Sequence, residues 1–458
     1  MCRTRRQLQR LLQLLGVAVG VTACADVMVP DLNNASVAGF QANPTAAGAN
    51  ALAVGLFRGT RDNTAALVET LGMFGREGYE MSGARGDLPL YIVGPLTPAT
   101  FYLGWGGQYA DLRAANILLD ALGRVGDLTA PQQEAMRGFV QTMEAYDLTQ
   151  IAATRDTFGL PIAVDVAPTS PPAPIATKAD AYQHILNLLD SAQTHLQNGG
   201  TSFSFQIPSG FSSFNTPATF LTLNRALRAR VDLLLNDDAS ALTDIGGSFI
   251  NPSGDLSAGA IFQFSNNSGD ETNPRFAPYY YAEPSLVTDA QLQIGGTQPD
   301  ARVGQKLVPV TSFTFDGITS NVQFTLYTST NSPMPMIRNE ELILMRAEAE
   351  IGAGLTAAAL SDINIIRTRS GNLPPLAAPP ADFVGELLYE KRYSLIWEGG
   401  KSWIDYRQHG RLTTLPNQQA DMRFFPALPF PLSDCQARSP QPSGCGTVAG
   451  YPANTPGH

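Results

Sequence analysis

Histidine is scarce in this 458-residue chain. There are four, His184, His195, His409 and His458, and none stands at a metal-ligand spacing. No Gly-x-Ser-x-Gly elbow, Walker loop or dinucleotide fingerprint occurs, which removes the chemistries that announce themselves in a short motif. Charged residues make up 15%, no run of like charge appears, and the formal net charge is −10; the basic stripe that nucleic acid requires is missing. Beyond the N-terminus no apolar run is long enough to span a bilayer. Enzyme signatures are therefore scarce, and neither a cofactor nor a metal is expected. Glycosidase carboxylates leave little local trace, so a surface glycoside hydrolase stays as a weaker alternative.

What is present begins with MCRTRRQLQRLLQLLGVAVGVTAC, a basic region followed by an apolar run from Leu11 to Val21. This reads as a secretory signal over residues 1–23. The ending Val21-Thr22-Ala23-Cys24 resembles a bacterial lipobox, which implies lipidation of Cys24 and attachment to a membrane without a spanning helix. Residues 24–45 are polar and read as an extended, lipid-anchored tether, and residues 46–458 as a single body. Of the other cysteines, Cys2 leaves with the signal. Cys435 and Cys445 lie in a Pro/Gly-rich tail, 426–458, where a disulfide is expected over a metal pair because the only nearby histidine is His458.

Helical periodicity dominates the body. RGFVQTMEAYDLTQIAATRDTFG repeats Phe139, Met143 and Tyr146 on one face, and KADAYQHILNLLDSAQTHL carries a second stripe with Asp180 as a possible cap. TFLTLNRALRARVDLLLNDDASALTDI reads as two helices turning at Asn236-Asp237-Asp238. NEELILMRAEAEIGAG and LTAAALSDINIIRTRSG form another pair, broken at Gly352-Ala353-Gly354, and 382–398 reads as one more helix. Such pairs suggest degenerate tetratricopeptide-like units. The fold class expected is mainly α: tetratricopeptide-like helix pairs form a framework over about 46–245 and 335–425. They carry a large loop-rich insertion, about 246–334, with a few β-strands, including a hairpin within 306–328.

Two stretches compete for a functional role. YEKRYSLIWEGGKSWIDYRQHGRL concentrates Glu390, Arg392, Glu398, Trp403, Asp405 and Arg407. On one helix, Glu390, Ser394 and Glu398 would share a face, which suits an ion-pair network better than two carboxylates opposed across a cleft. Aromatics outside the helices look more like a ligand surface: Tyr102, Trp105 and Tyr109 in FYLGWGGQY, and Tyr279, Tyr280 and Tyr281 in RFAPYYYAEP. Glu80 and Arg85 are nearby polar partners in sequence. The same rings would also serve to plug a seam between framework and insertion.

The C-terminal motifs resemble those of the SusD/RagB outer-membrane nutrient-binding lipoproteins. ALSDINIIRTRSG is similar to the family's Asn-x-x-Arg-x-Arg turn at Asn364, Arg367 and Arg369, and the Glu-x-Arg…Glu-Gly…Arg-type signature matches at Glu390, Arg392, Glu398, Gly399, Trp403, Asp405 and Arg407. FFPALPFPLSD matches a late Pro-x-Pro segment at Pro429 and Pro431. Gly400, Lys401 and Ser394 depart from the family's usual residues. The resemblance implies that the signature is structural. It also implies non-enzymatic capture of an oligosaccharide, a peptide or another nutrient at the cell surface and delivery to a SusC-like TonB-dependent transporter in the outer membrane. A tetratricopeptide-type scaffold that binds proteins is the other reading of the same helices.

Overall fold

The computed structural model describes residues 37–82, 88–100, 104–167 and 169–458. Cys24, the signal segment and most of the tether lie outside the described residues. Residues 37–44 belong to one unit and residues 45–458 form another. In the first, Val37–Ala42 is a short helix, α1, where an extended chain was expected; Asn43 N–H closes it on Gly39 O at 3.0 Å.

The larger unit opens with α2, Ala46–Phe74, capped by Thr45, whose hydroxyl accepts from Gly48 N–H at 3.2 Å. After the strand β1, Gly78–Glu80, come the helices α3, Leu88–Ile92, α4, Gly106–Leu122, and α5, Ala130–Arg155. A capping box between Thr129 and Gln132 starts α5, satisfying donors that the first turn would otherwise leave open. The two-residue strands β2, Leu160–Pro161, and β3, Ile175–Ala176, pair and lead into α6, Lys178–Gln197. Thr177, not Asp180, is its N-cap: the Thr177 oxygen accepts the Asp180 N–H at 3.2 Å. The helices α7, Pro217–Leu234, and α8, Asp238–Gly246, turn where expected, with Asn236 at φ 57° and Asp237 as the cap of α8. The helices α5 to α8 pack in succession, each on the next, as helix pairs do. The connection 201–216 is packed rather than loose: Phe205 and Phe211 set their rings 4.8 Å from Phe139 and 4.9 Å from Phe57.

The segment 246–334 holds β4, Gly259–Phe262, β5, Tyr280–Ala282, and the short helices α9, Ser285–Thr288, and α10, Ala301–Lys306. The expected hairpin follows as β6, Leu307–Phe315, and β7, Ile318–Phe324. β6 and β7 join β5 and β1 in a four-stranded sheet ordered β1-β5-β7-β6, while β4 pairs with β8, Met334–Arg338. The insertion is therefore sewn to the framework through β1. The remaining helices are α11, Asn339–Gly352, α12, Thr356–Arg369, α13, Phe383–Ser394, α14, Lys401–Gln408, and α15, Leu432–Gln436. Fifteen α-helices against eight short strands make the described residues mainly α. None of these helices is long and apolar enough to cross a membrane.

One helix is shorter than its sequence suggests. The segment 382–398 stops being helical at Ser394, because Trp397, Gly399 and Gly400 take positive φ of 59°, 99° and 69°. Glu398 therefore leaves the face it was expected to share with Glu390 and Ser394.

Candidate functional site

The charged stretch 389–412 resolves into a clasp. Glu390 is fully buried; its carboxylate lies 2.7 Å from Arg302 Nη1 and 3.3 Å from Arg367 Nη1. Burial pushes its pKa up to about 7 in spite of both arginines. Ser394 donates to Glu340 at 2.6 Å and accepts from Arg302 at 2.8 Å, so it joins the network through its hydroxyl. Glu398 sits 2.9 Å from Arg338 Nε and 3.6 Å from Lys306 Nζ. Lys391 bridges Asp405, at 2.9 Å, to Glu348, and Lys401 donates to Glu341 at 2.8 Å. The Trp403 indole donates to Phe425 O at 2.8 Å, and Arg407 lies over its ring at 4.7 Å while donating to Pro426 O and Ala153 O. Asn364 closes a two-bond ring with the backbone of Leu376. The buried Glu77 accepts from the N–H groups of Trp397, at 2.7 Å, and Ser402, at 3.2 Å. These carboxylates are turned to the interior and committed to cations or backbone. Arg392 differs: it donates to Ser285 Oγ at 2.7 Å from the wall of an open cleft.

The aromatic candidates are split by the fold. Arg85 and Tyr102 lie outside the described residues. Tyr280 is not a surface ring: it is 3% exposed, its hydroxyl donates to Glu69 at 2.8 Å, and the Arg275 guanidinium covers it at 5.0 Å. Its sequence neighbours Tyr279 and Tyr281 are half-buried, and Tyr281 stacks on Phe313 at 5.6 Å. Alternation along β5 turns Tyr280 inward to face Trp397, where three consecutive tyrosines suggested one exposed run. Glu80, opposite Tyr280 in the sheet, is also buried and accepts from Ser82. No flat platform of Trp105 with Tyr279–Tyr281 forms, since neither cleft that Trp105 lines includes those tyrosines.

Trp105 itself stands between two adjoining clefts. It is the residue before α4, and only 9% of its surface is exposed. Tyr109 and Phe430 pack on it with ring centroids 5.0 Å away, and Arg155 lies 5.1 Å over it. The ring is a largely buried wall between the clefts, not an open platform. On one side is a cleft of about 510 Å³ bounded by Asn63, Pro98–Thr100, Gly104–Gln108 and Pro431–Ser433. On the other is a cleft of about 480 Å³ with Tyr109, Arg113, Pro161, Asp434 and Arg438. No side-chain hydrogen bond caps α4, and its first residues, Gly106 and Gly107, line the first cleft beside Asn63. Leu432, 44% exposed, offers an apolar contact there. Tyr109 donates to Pro161 O at 2.8 Å, and Arg113 to Val166 O at 3.0 Å, fixing the second cleft.

The sequence reading missed the tail as a wall of this site. Cys435 and Cys445 are bonded, Phe430 N–H donates to Gly444 O at 2.7 Å, and Leu432 N–H reaches Pro98 O at 2.9 Å. A cysteine pair bracketing a Pro-rich segment was the available signal, for it marks a loop held in one shape. Among the described residues no group of three or more His, Cys, Asp or Glu is arranged to hold a metal ion.

The model of the SusD family matches residues 309–419, which include Glu390, Glu398, Trp403, Asp405 and Arg407. Residues 309–419 thus match the SusD family, and the fold is that of solved SusD-like proteins. A laminarin-binding SusD-like protein superposes with a TM-score of 0.64 at 15% identity, covering 87% of this chain and 99% of its own. A SusD-like carbohydrate-binding protein from Bacteroides fragilis gives 0.64 at 15%, over 89% and 94%. NanU of B. fragilis gives 0.65 at 14%, over 92% and 99%. At these identities the likeness establishes the SusD fold. No curated protein matches the chain.

Proposed function

We propose that this SusD-like chain captures an oligosaccharide without transforming it, and hands it to a SusC-like TonB-dependent transporter in the outer membrane. The carrying observation is the cleft at Trp105. Trp105, an apolar Leu432 and the uncapped first residues of α4 line there a space within the size range of small-molecule pockets. Sugars present apolar C–H faces and closely spaced hydroxyls, which suit a lining of Trp105 and Leu432 beside the polar Asn63 and Gln108. Binding descriptions attached to solved relatives of the same fold support the ligand class. The Cys435–Cys445 bond suits an exported chain. Lipid on Cys24 would hold it at the surface beside the transporter, with residues 25–45 as a leash.

The test is calorimetry of residues 25–458 against a panel that includes laminarin oligosaccharides, other glucans and acidic glycans, with peptides as a contrast. Saturable binding of one glycan class, weakened at least tenfold in a folded Trp105→Ala variant, is expected from loss of that wall. Binding untouched by Trp105→Ala would move the site elsewhere, and turnover of the glycan would overturn the capture reading.

A further inference from the structure

A third cleft, of about 470 Å³, opens between Ser285–Asp289, the face of α13 bearing Arg392, and the segment from Tyr406 to Asn417. It shares no lining residue with either cleft at Trp105. Its chemistry is polar and balanced. Arg392, with 8% of its side chain exposed, donates to Ser285 and stands 3.4 Å from Asp289, whose side chain is 54% exposed. At that distance the pair is weak, and the exposed Asp289 carboxylate is open to a ligand beside the Arg392 guanidinium. Arg411 is held on Asp382 at 2.6 Å, and buried Glu283 accepts from Tyr79 at 2.6 Å and from Gln418 at 2.9 Å. The Tyr406 hydroxyl makes no hydrogen bond among the described residues, although the ring lines the cleft.

We infer that this cleft is a second carbohydrate subsite, in which Arg392 and Asp289 read two adjacent hydroxyls of one sugar ring. A guanidinium beside a carboxylate supplies donors to one oxygen and an acceptor for the neighbouring O–H, which is the pattern of a vicinal diol. Two arginines against Glu283 and Asp289 leave the lining without net charge, which favours a neutral hydroxylated ligand over an anion. Tyr406 supplies an aromatic body and a free hydroxyl at the same wall. The ligand class rests on the carbohydrate reading above; the position does not.

The probes are the methyl glycosides of glucose, galactose and mannose, followed by saturation-transfer NMR on residues 25–458. The proteins are wild type, Asp289→Ala, Tyr406→Phe and Trp105→Ala. Asp289 is surface-exposed, so its alanine variant keeps the fold, and Tyr406→Phe removes only the hydroxyl. Saturable binding that weakens about tenfold in Asp289→Ala, weakens in Tyr406→Phe and persists in Trp105→Ala is expected. That result supports the second site even if Trp105 proves uninvolved in capture. Binding lost only in Trp105→Ala overturns it while the first site stands. No saturable binding of any of the three glycosides overturns it as well.

Discussion

Gly72 and Trp397 occupy one another's space: a Cβ on Gly72 would stand 2.7 Å from Cε3 of the Trp397 ring. The ring is fully buried, stacked on Phe324 at 4.5 Å, and its backbone N–H is bound by Glu77. It has nowhere to retreat. Gly72→Ala should therefore cost about 1–3 kcal/mol by overpacking, in a helix where alanine is otherwise favoured. Urea denaturation measures it; an unchanged or raised midpoint would show that the Trp397 ring moves aside.

Glu390→Ala removes the partner that Arg302 and Arg367 share inside the clasp. Arg302 keeps Asp300 and Arg367 keeps Glu386, so removing the carboxylate they share is expected to cost about 1–3 kcal/mol. Glycan affinity of the folded fraction should stay at the wild-type value. A stable variant that has lost binding would contradict the structural role of Glu390.

The Cys435–Cys445 bond braces the wall that carries Phe430 and Leu432. Closing a loop of this length stabilises by about 3 kcal/mol in the chain-entropy account. Replacing both cysteines by serine should weaken glycan binding more than it lowers the melting temperature of the helical body. Calorimetry and thermal unfolding on the same protein separate the two effects.

Stability should peak at mildly acidic pH. Burial alone would raise Glu340, Glu341 and Glu348, but the cations beside them, first Arg338, Arg230 and Lys391 respectively, hold each at about 2. Their contribution is complete above the unfolded value near 4.5 and disappears as pH falls toward 2. Asp111 and Glu144 act in the opposite sense, because burial pushes both up to about 7. The folded chain there keeps protons that the unfolded chain releases, so stability declines as pH rises from about 4 to 7. Asp111→Asn should recover about 1–2 kcal/mol at pH 8 and leave the acid limb alone. Thermal unfolding from pH 2 to 9 checks this, and superimposable wild-type and variant profiles would refute it.

Much of this was legible because it is local. The α11–α12 pair, its glycine break and the β6–β7 hairpin follow from periodicities of 3.6 and 2 and from turn residues. The charges of 389–412 also announced an ion-pair network. Their partners did not: Arg302, Arg338 and Glu77 lie far off in sequence, and nothing in their own neighbourhoods marks them. Tyr280 misled for a related reason, since a three-residue strand is too short for alternation to reveal which tyrosine points inward. Trp105 was found by its residue type, but its burial against Arg155 and Phe430 depends on residues that no spacing connects to it.

The bond from Trp397 to Glu77 joins residues 320 positions apart, and Arg76 donates to the backbone of Arg423 across 347. Contacts of such long range are slow to form and come late. The N-terminal helices cannot complete their interior while the last quarter of the chain is still being made. Synthesis alone therefore does not finish this fold. A nascent or truncated chain ending before Arg423 would leave the buried Arg76 guanidinium with Met73 O alone.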